Sequence, residues 1–168
     1  MLIVEDGSIV PDADSYVSLE DARALVAKFG MSLPADDAEA EAALRNGALY
    51  VDLQEPLMCG RRVSASQSLA FPRTGITLFG YPVSRTTVPA QVIRAQVIAA
   101  TEYGKGTNVR GTSDGRAVAS ERVEGAVAVS YFNTGDNGST VTITAAVDAL
   151  RPLLCGANNG SSFNVYRG

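Results

Sequence analysis

The side chains best suited to acid–base or metal chemistry are four carboxylates that stand close together, Asp36, Asp37, Glu39 and Glu41. A catalytic or metal-binding pair would require two of them to converge on one point. Their spacing instead fits the first turn and the solvated face of a helix, where the helix dipole favours negative charge. We therefore interpret this group as surface charge rather than as a site.

Other residue types that support catalysis are scarce. The chain has no histidine, which excludes His-based triads, His metal ligands and His proton shuttles. Two isolated cysteines cannot form a Cys-rich zinc site. The glycine-rich loops that cradle phosphates in common nucleotide-binding folds are missing as well. These absences predict a protein that is not an enzyme and carries no cofactor and no metal, with a carboxylate-only enzyme as the open alternative.

Residues 60–75 form the most informative stretch, because they contain three arginines, Arg61, Arg62 and Arg73, the pair Phe71 and Pro72, and no acidic residue. The stretch has no helical or strand periodicity. We interpret it as a loop that contacts another molecule, and we predict these five residues as an assembly or interaction site.

A purely structural role for the same loop is the alternative. Phe71 and Pro72 would then plug the loop onto a helical core, and Arg73 would pair with a helix carboxylate. Arg61 and Arg62 are expected to be exposed, where they would face DNA phosphates, an acidic neighbour or water.

The charge of the chain is unevenly distributed. Residues 1–55 hold 12 acidic and 3 basic residues, whereas residues 56–101 hold 5 basic residues and no acidic one. Such a division arises from surface solubility alone, or it marks two faces that meet between identical subunits. The sequence leaves both possibilities open.

The two cysteines, Cys59 and Cys155, lie far apart in sequence, and we expect free thiols rather than a disulfide. No apolar run approaches the roughly 18 residues of a membrane helix, so no membrane association is expected. The N-terminus lacks the basic start and long apolar stretch of a secretory signal.

Apolar periodicity and capping residues predict helices near 18–29, 36–54, 89–104 and 145–154. A long packed loop, with a short hairpin around Gly80, is predicted between the second and third helices. Gly47, inside the second helix, suggests close approach of another backbone. Alternating residues predict a strand between 118 and 132.

These elements predict a mainly α protein, a small helical bundle with a long central loop and a β-strand or hairpin appendage. We expect a single domain over 1–168, with a helical core at about 18–104, and the appendage and last helix at about 117–155. The Gly/Asn/Ser-rich end, 156–168, is predicted to be a flexible docking tail whose contact residues are Phe163 and Tyr166. A frayed terminus is the alternative for this tail.

Several motifs resemble a family of small bacteriophage proteins that is often named DnaT-like single-stranded DNA-binding protein. The resemblance covers roughly residues 3–100 and lies in Val4-Glu5-Asp6-Gly7, the segment 11–18, Gly60-Arg61-Arg62, the segment 67–75, Gly80-Tyr81-Pro82-Val83 and Val88-Pro89. Phe71 stands where this family more often has tryptophan.

Members of this family also resemble head-tail connector (adaptor) proteins of tailed phages. That resemblance implies a connector-adaptor-like fold and a structural virion protein, present as a homo-oligomeric ring of about a dozen copies. The implied partners are the portal protein and a tail-side neck or tail protein, with genomic DNA passing through without specific binding. The implied location is the virion neck, after synthesis in the host cytoplasm.

Two functions therefore compete at this point, a head-tail connector and a single-stranded DNA-binding replication accessory protein. Nonspecific strand binding requires a positively charged groove with stacking aromatic residues. The chain has a sequence pI of about 4.8, and only Phe71, Phe79 and Tyr81 lie near its basic segment. On this ground we expect weak DNA affinity and favour the connector.

Overall fold

The computed structural model describes residues 1–107 and 142–155. Within them the chain forms four α-helices, two short 3₁₀ turns and two two-stranded antiparallel sheets. The helices are α1 (Leu19–Lys28), α2 (Asp37–Asp52), α3 (Ala90–Gly104) and α4 (Thr144–Leu150). The predicted strand at 118–132 and the predicted tail at 156–168 lie outside the described residues.

Local sequence signals explain where the first two helices begin. The Ser18 hydroxyl accepts a hydrogen bond from the backbone N–H of Asp21 ahead of α1. The Asp36 carboxylate accepts one from the N–H of Glu39 ahead of α2. Each cap pairs one of the N–H groups that the first helical turn leaves without a partner. The predicted helices at 18–29, 36–54, 89–104 and 145–154 are confirmed.

Helix α3 is the central element of the described fold, because it packs against α2 on one side and α4 on another. At the α2–α3 crossing, a Cβ on Gly47 would collide with the backbone carbonyl of Gln96. The predicted close approach at Gly47 is therefore confirmed. The Gln96 side chain is fully buried and donates to Ser15 Oγ (2.7 Å) and to the Leu44 carbonyl (3.0 Å), and it accepts from the Tyr16 N–H (2.9 Å).

Four very short strands follow α2, all in the segment that was predicted as a loop. Strands β1 (Arg61–Arg62) and β2 (Arg73–Thr74) pair with each other, and β3 (Thr77–Leu78) pairs with β4 (Tyr81–Pro82). The predicted hairpin around Gly80 is confirmed by the β3–β4 pair. The prediction of a mainly α bundle is corrected to a mixed fold, because short-range pairing in this segment builds two sheets that apolar periodicity does not reveal.

The expectation of free thiols was wrong, because Cys59 and Cys155 form a disulfide. The first 3₁₀ turn (Glu55–Leu57) precedes Cys59, and the second (Arg151–Leu153) precedes Cys155. The two segments lie side by side, with the Cys59 N–H donating to the Leu153 carbonyl at 2.8 Å. Packing of α4 on α3 thus brings together two residues that are 96 positions apart in sequence.

Within the part of the chain that is described, none of the helices combines the length and the apolar character that crossing a membrane requires. The single domain over 1–168 stays a prediction, since part of that range lies outside the described residues.

Candidate nucleic-acid interface

Two of the predicted site arginines turn inward onto one carboxylate, Glu55. Arg62 binds it with two parallel hydrogen bonds, from Nε at 2.7 Å and from Nη2 at 2.6 Å. Arg73 reaches the same carboxylate from Nη1 at 3.0 Å. Hydrogen bonds from Arg62, followed by those from Arg73 and opposed by burial, hold the pKa of Glu55 below its ordinary value. In the cluster Glu55–Arg62–Arg73, two arginines therefore share one carboxylate, and the three side chains together keep a net charge of +1.

Arg73 also closes the base of the loop. Its side chain is 6% exposed, and its Nε and Nη2 donate to the carbonyls of Cys59 (2.9 Å) and Gly60 (3.0 Å). The buried Gln67 side chain accepts hydrogen bonds from the backbone N–H groups of Val63 and Ser64 in the same loop. A segment without helical or strand periodicity is thus ordered by buried polar side chains.

Phe71 and Pro72 are buried, and the peptide bond between them is cis. The Phe71 ring meets the Tyr16 ring edge-on, with the centroids 6.4 Å apart. The Tyr16 hydroxyl donates to Asp52 Oδ1 at 2.5 Å, and Asp52 also accepts from the Ala70 N–H at 3.1 Å. Burial raises the pKa of the Asp52 carboxyl above its usual range, although its hydrogen bonds oppose that shift.

The predicted interaction site stays a prediction, and the structure shows how exposed its described residues are. Phe71, Pro72 and Arg73 are buried, as the structural alternative expected. Arg62 is half-buried against Glu55 and was expected to be exposed. Arg61 is exposed as expected. The remaining two predicted contact residues, Phe163 and Tyr166, lie outside the described residues.

The exposed surface of this region is instead formed by the β3–β4 hairpin. Phe79 and Tyr81 are each 76% exposed, the most exposed large aromatic side chains among the described residues. The hairpin is anchored from beneath, because Ile76 is buried and Leu78 and Val83 pack against the core. The Val83 N–H donates to the Ile76 carbonyl at 2.9 Å. The chain thus holds two aromatic rings in solvent on a short, anchored loop.

The turn of this hairpin has an unusual residue. Phe79 and Gly80, its two loop residues, have φ values of 51° and 87°. Positive φ at both loop positions is the pattern of a type I′ turn, which prefers Asn, Asp or Gly. A bulky aromatic residue at positive φ is an outlier that costs about 1 kcal/mol or more. Neither burial nor turn preference therefore explains why phenylalanine stands at this position.

Three exposed arginines accompany the hairpin in the acid-free segment, Arg61, Arg85 and Arg94. Among residues 1–107 and 142–155, no carboxylate pairs with any of them. Arg61 in β1 lies opposite Thr74 in β2, the strand that precedes β3. Arg85 lies in an exposed turn that follows β4. We give the name hairpin surface to Phe79 and Tyr81 together with Arg61 and Arg85 of the same acid-free segment. Two of these residues are exposed aromatics, and two are exposed arginines without a carboxylate partner among the described residues.

Sequence reasoning missed this surface for an identifiable reason. The prediction of a packed loop treated all the apolar residues of segment 76–83 as packing residues. In the structure only some of them pack, whereas the aromatic pair Phe79 and Tyr81 is exposed. The available signal was the placement of Phe79 directly before Gly80 between two short extended stretches, since that placement forces the aromatic side chain onto the tip of a hairpin.

A family model described as "Putative DnaT-like ssDNA binding protein" matches residues 1–168. The chain belongs to this family. The match covers the whole chain and so extends beyond the roughly 3–100 on which the sequence motifs rested. No curated protein and no solved structure shows a significant match to the chain.

The family corrects the predicted function. The head-tail connector interpretation is overturned, because the description of the family names single-stranded DNA binding. The predicted ring, the portal and tail partners, and the passage of DNA without binding fall with that interpretation. Weak DNA affinity was expected from the acidic pI of the whole chain and from the small number of aromatic residues near its basic segment. Whole-chain charge was a poor guide because it averages an acidic front with an acid-free segment that presents unpaired arginines.

Proposed function

We propose that this protein binds single-stranded DNA without strong sequence preference, and that the hairpin surface is where the strand lies. The observation that carries the proposal is Phe79, an aromatic ring that is 76% exposed at a positive φ. Residues held in unfavourable backbone conformations concentrate at functional positions. Family membership supplies the ligand class that such a ring would serve.

The chemistry of the surface suits an unpaired strand. Bases of single-stranded DNA offer their flat faces to aromatic side chains, and each such stack contributes about 1–3 kcal/mol. Phe79 and Tyr81 provide two rings, while Arg61 and Arg85 provide charges for the phosphates. In duplex DNA the base faces are already stacked on one another, so the two rings would have little to bind.

Electrostatics of the neighbouring carboxylates is compatible with a phosphate backbone. Glu55, the nearest acidic residue before the segment in sequence, is paired with Arg62 and Arg73. In the N-terminal part, Arg45 pairs with both Asp14 and Glu41. These pairs leave the net charge of the chain at −4, and the segment that carries the hairpin has no acidic residue from 56 to 101.

Fluorescence anisotropy with a labelled oligothymidine of about 16 nucleotides tests the proposal, since that length covers the usual site of a single-strand binder. The double variant Phe79→Ala/Tyr81→Ala should raise Kd by about tenfold to a hundredfold, which corresponds to one or two lost stacks. Phe29→Ala is the matched control, because Phe29 is also exposed, at 58%, but lies at the end of α1.

Two results would reject the proposal. One is oligothymidine binding that both variants retain equally, which would place the strand elsewhere on the protein. The other is the absence of measurable binding by the unaltered protein at low salt. The expectation that the protein is not an enzyme stays a prediction alongside this proposal.

A further inference from the structure

The disulfide fastens the last described segment of the chain to Cys59, the residue directly before segment 60–75. Cys59 and Cys155 have Cα atoms 4.9 Å apart. On either side of the bond, the Cys59 N–H donates to the Leu153 carbonyl and the Cys155 N–H donates to the Leu57 carbonyl, both at 2.8 Å. A single bridge between Met58 and Leu154 completes this short antiparallel contact.

The fastened segment is also what the hairpin rests on. Strand β3 contacts the second 3₁₀ turn. Ile76 and Leu78 belong to the same hydrophobic cluster as Leu153 and Leu154. The support beneath the hairpin surface is therefore a segment whose C-terminal end is held by the disulfide and two backbone hydrogen bonds. At its other end, the Ile143 N–H donates to the Tyr50 hydroxyl at 2.9 Å.

The two bonded cysteines are at least partly exposed. Cys155 is exposed and Cys59 is half-buried. A thiolate attacks one sulfur of the disulfide, forms a mixed disulfide and releases the other cysteine as a thiolate. With a dithiol, the second thiol displaces the remaining cysteine, so that the dithiol is oxidised to a cyclic disulfide and the protein gains two thiols.

We propose that the Cys59–Cys155 disulfide is a redox-sensitive fastener that controls the rigidity of the hairpin surface and, through it, the affinity for single-stranded DNA. The DNA part of this inference rests on the proposed function. A rigid hairpin presents both rings without an ordering cost when the strand binds, whereas a loosened one must be ordered at that moment. Reduction should therefore weaken DNA binding while leaving the α2–α3 core intact.

Amide hydrogen exchange and anisotropy, measured on the same oxidised and dithiol-treated samples, test the inference. The Val83 amide reports the hairpin, the Cys155 amide reports the fastened segment, and the Tyr16 amide, bonded to Gln96, reports the core. On reduction, exchange at Val83 and Cys155 should accelerate by about tenfold or more, with Tyr16 unchanged. The Kd for oligothymidine should rise by about threefold to tenfold.

The double variant Cys59→Ser/Cys155→Ser is the control for the reductant. It should behave like the reduced protein and should not respond to the dithiol. If Val83 exchanges at the same rate in both redox states, or if Tyr16 accelerates with it, the local fastener is refuted. Equal DNA affinity in two states that differ in exchange would refute the regulation. Altered exchange without DNA binding in either state would reject the proposed function and leave the fastener standing.

Discussion

Arg73 and Glu55 form an ion pair inside the protein, with Arg73 Nη1 3.0 Å from Glu55 Oε1 and the arginine side chain 6% exposed. Glu55 also receives the bidentate hydrogen bonds of Arg62. Two of the arginines that distinguish segment 60–75 are therefore structural. Arg61 and Arg85 are among the exposed cations that have no carboxylate partner within the described residues.

Replacing Arg73 with alanine should lower the free energy of unfolding by about 2–4 kcal/mol, because a buried donor set is removed from one carboxylate and several carbonyls. Urea denaturation followed by circular dichroism measures the change. Arg61→Ala is the matched control, and it should stay within about 0.5 kcal/mol of the unaltered protein because Arg61 is exposed. Similar losses for both variants would show that Arg73 is not the structural residue of the pair.

Phe79→Asn should separate stability from DNA binding. Asparagine is preferred at positive φ in a type I′ turn, so the free energy of unfolding should stay equal or rise by up to about 1 kcal/mol. The same change removes one stacking ring and should raise the Kd for oligothymidine by about tenfold. A variant that is destabilised and binds DNA normally would assign Phe79 a packing role in place of a binding one.

The salt dependence of binding should report the arginines of the hairpin surface. Each phosphate contact on a single strand contributes about 0.7 to the slope of log K against log salt concentration. Arg61→Ala and Arg85→Ala should each reduce the magnitude of the slope by about that amount. Lys28→Ala removes the same charge from α1 and should leave the slope unchanged; a reduction of equal size there would indicate nonspecific attraction rather than contacts.

Stability should fall in acid through Glu55. Hydrogen bonds from Arg62 are the chief reason that the pKa of Glu55 in the folded protein lies below its ordinary value of 4.5. A depressed folded pKa contributes stability that is present above the unfolded value and is lost as pH falls through the folded value. Glu55→Gln should therefore flatten the decline in the free energy of unfolding below about pH 4.5, as measured by urea denaturation at a series of pH values.

Asp52 provides a control of opposite sign for that experiment. Burial raises the pKa of Asp52 in the folded protein above its ordinary value of 3.8, so the folded state binds a proton at this carboxylate more readily than the unfolded chain does. Asp52 thus favours folding as the pH falls, and Asp52→Asn should make the acid decline steeper. Parallel curves for the two variants would contradict both assignments.

The sequence by itself determined the helices. Periodic apolar residues and the caps Ser18 and Asp36 are local signals, since they act over one to a few turns, and they predicted α1 and α2 to within two residues. Gly47 carried tertiary information in the same way, because a glycine inside a helix is costly unless another backbone approaches. The motifs of segment 60–75 likewise resemble the family whose model matches the whole chain.

Only the tertiary structure decided which residues of segment 60–83 face inward. Whether an arginine is buried depends on the position of a carboxylate such as Glu55, and whether an aromatic residue is exposed depends on the turn that presents it. The disulfide depended likewise on the return of the segment after α4 to Cys59. These outcomes follow from long-range packing, which spacing along the chain does not encode, and they moved the candidate site from Phe71 and Arg73 to the hairpin surface.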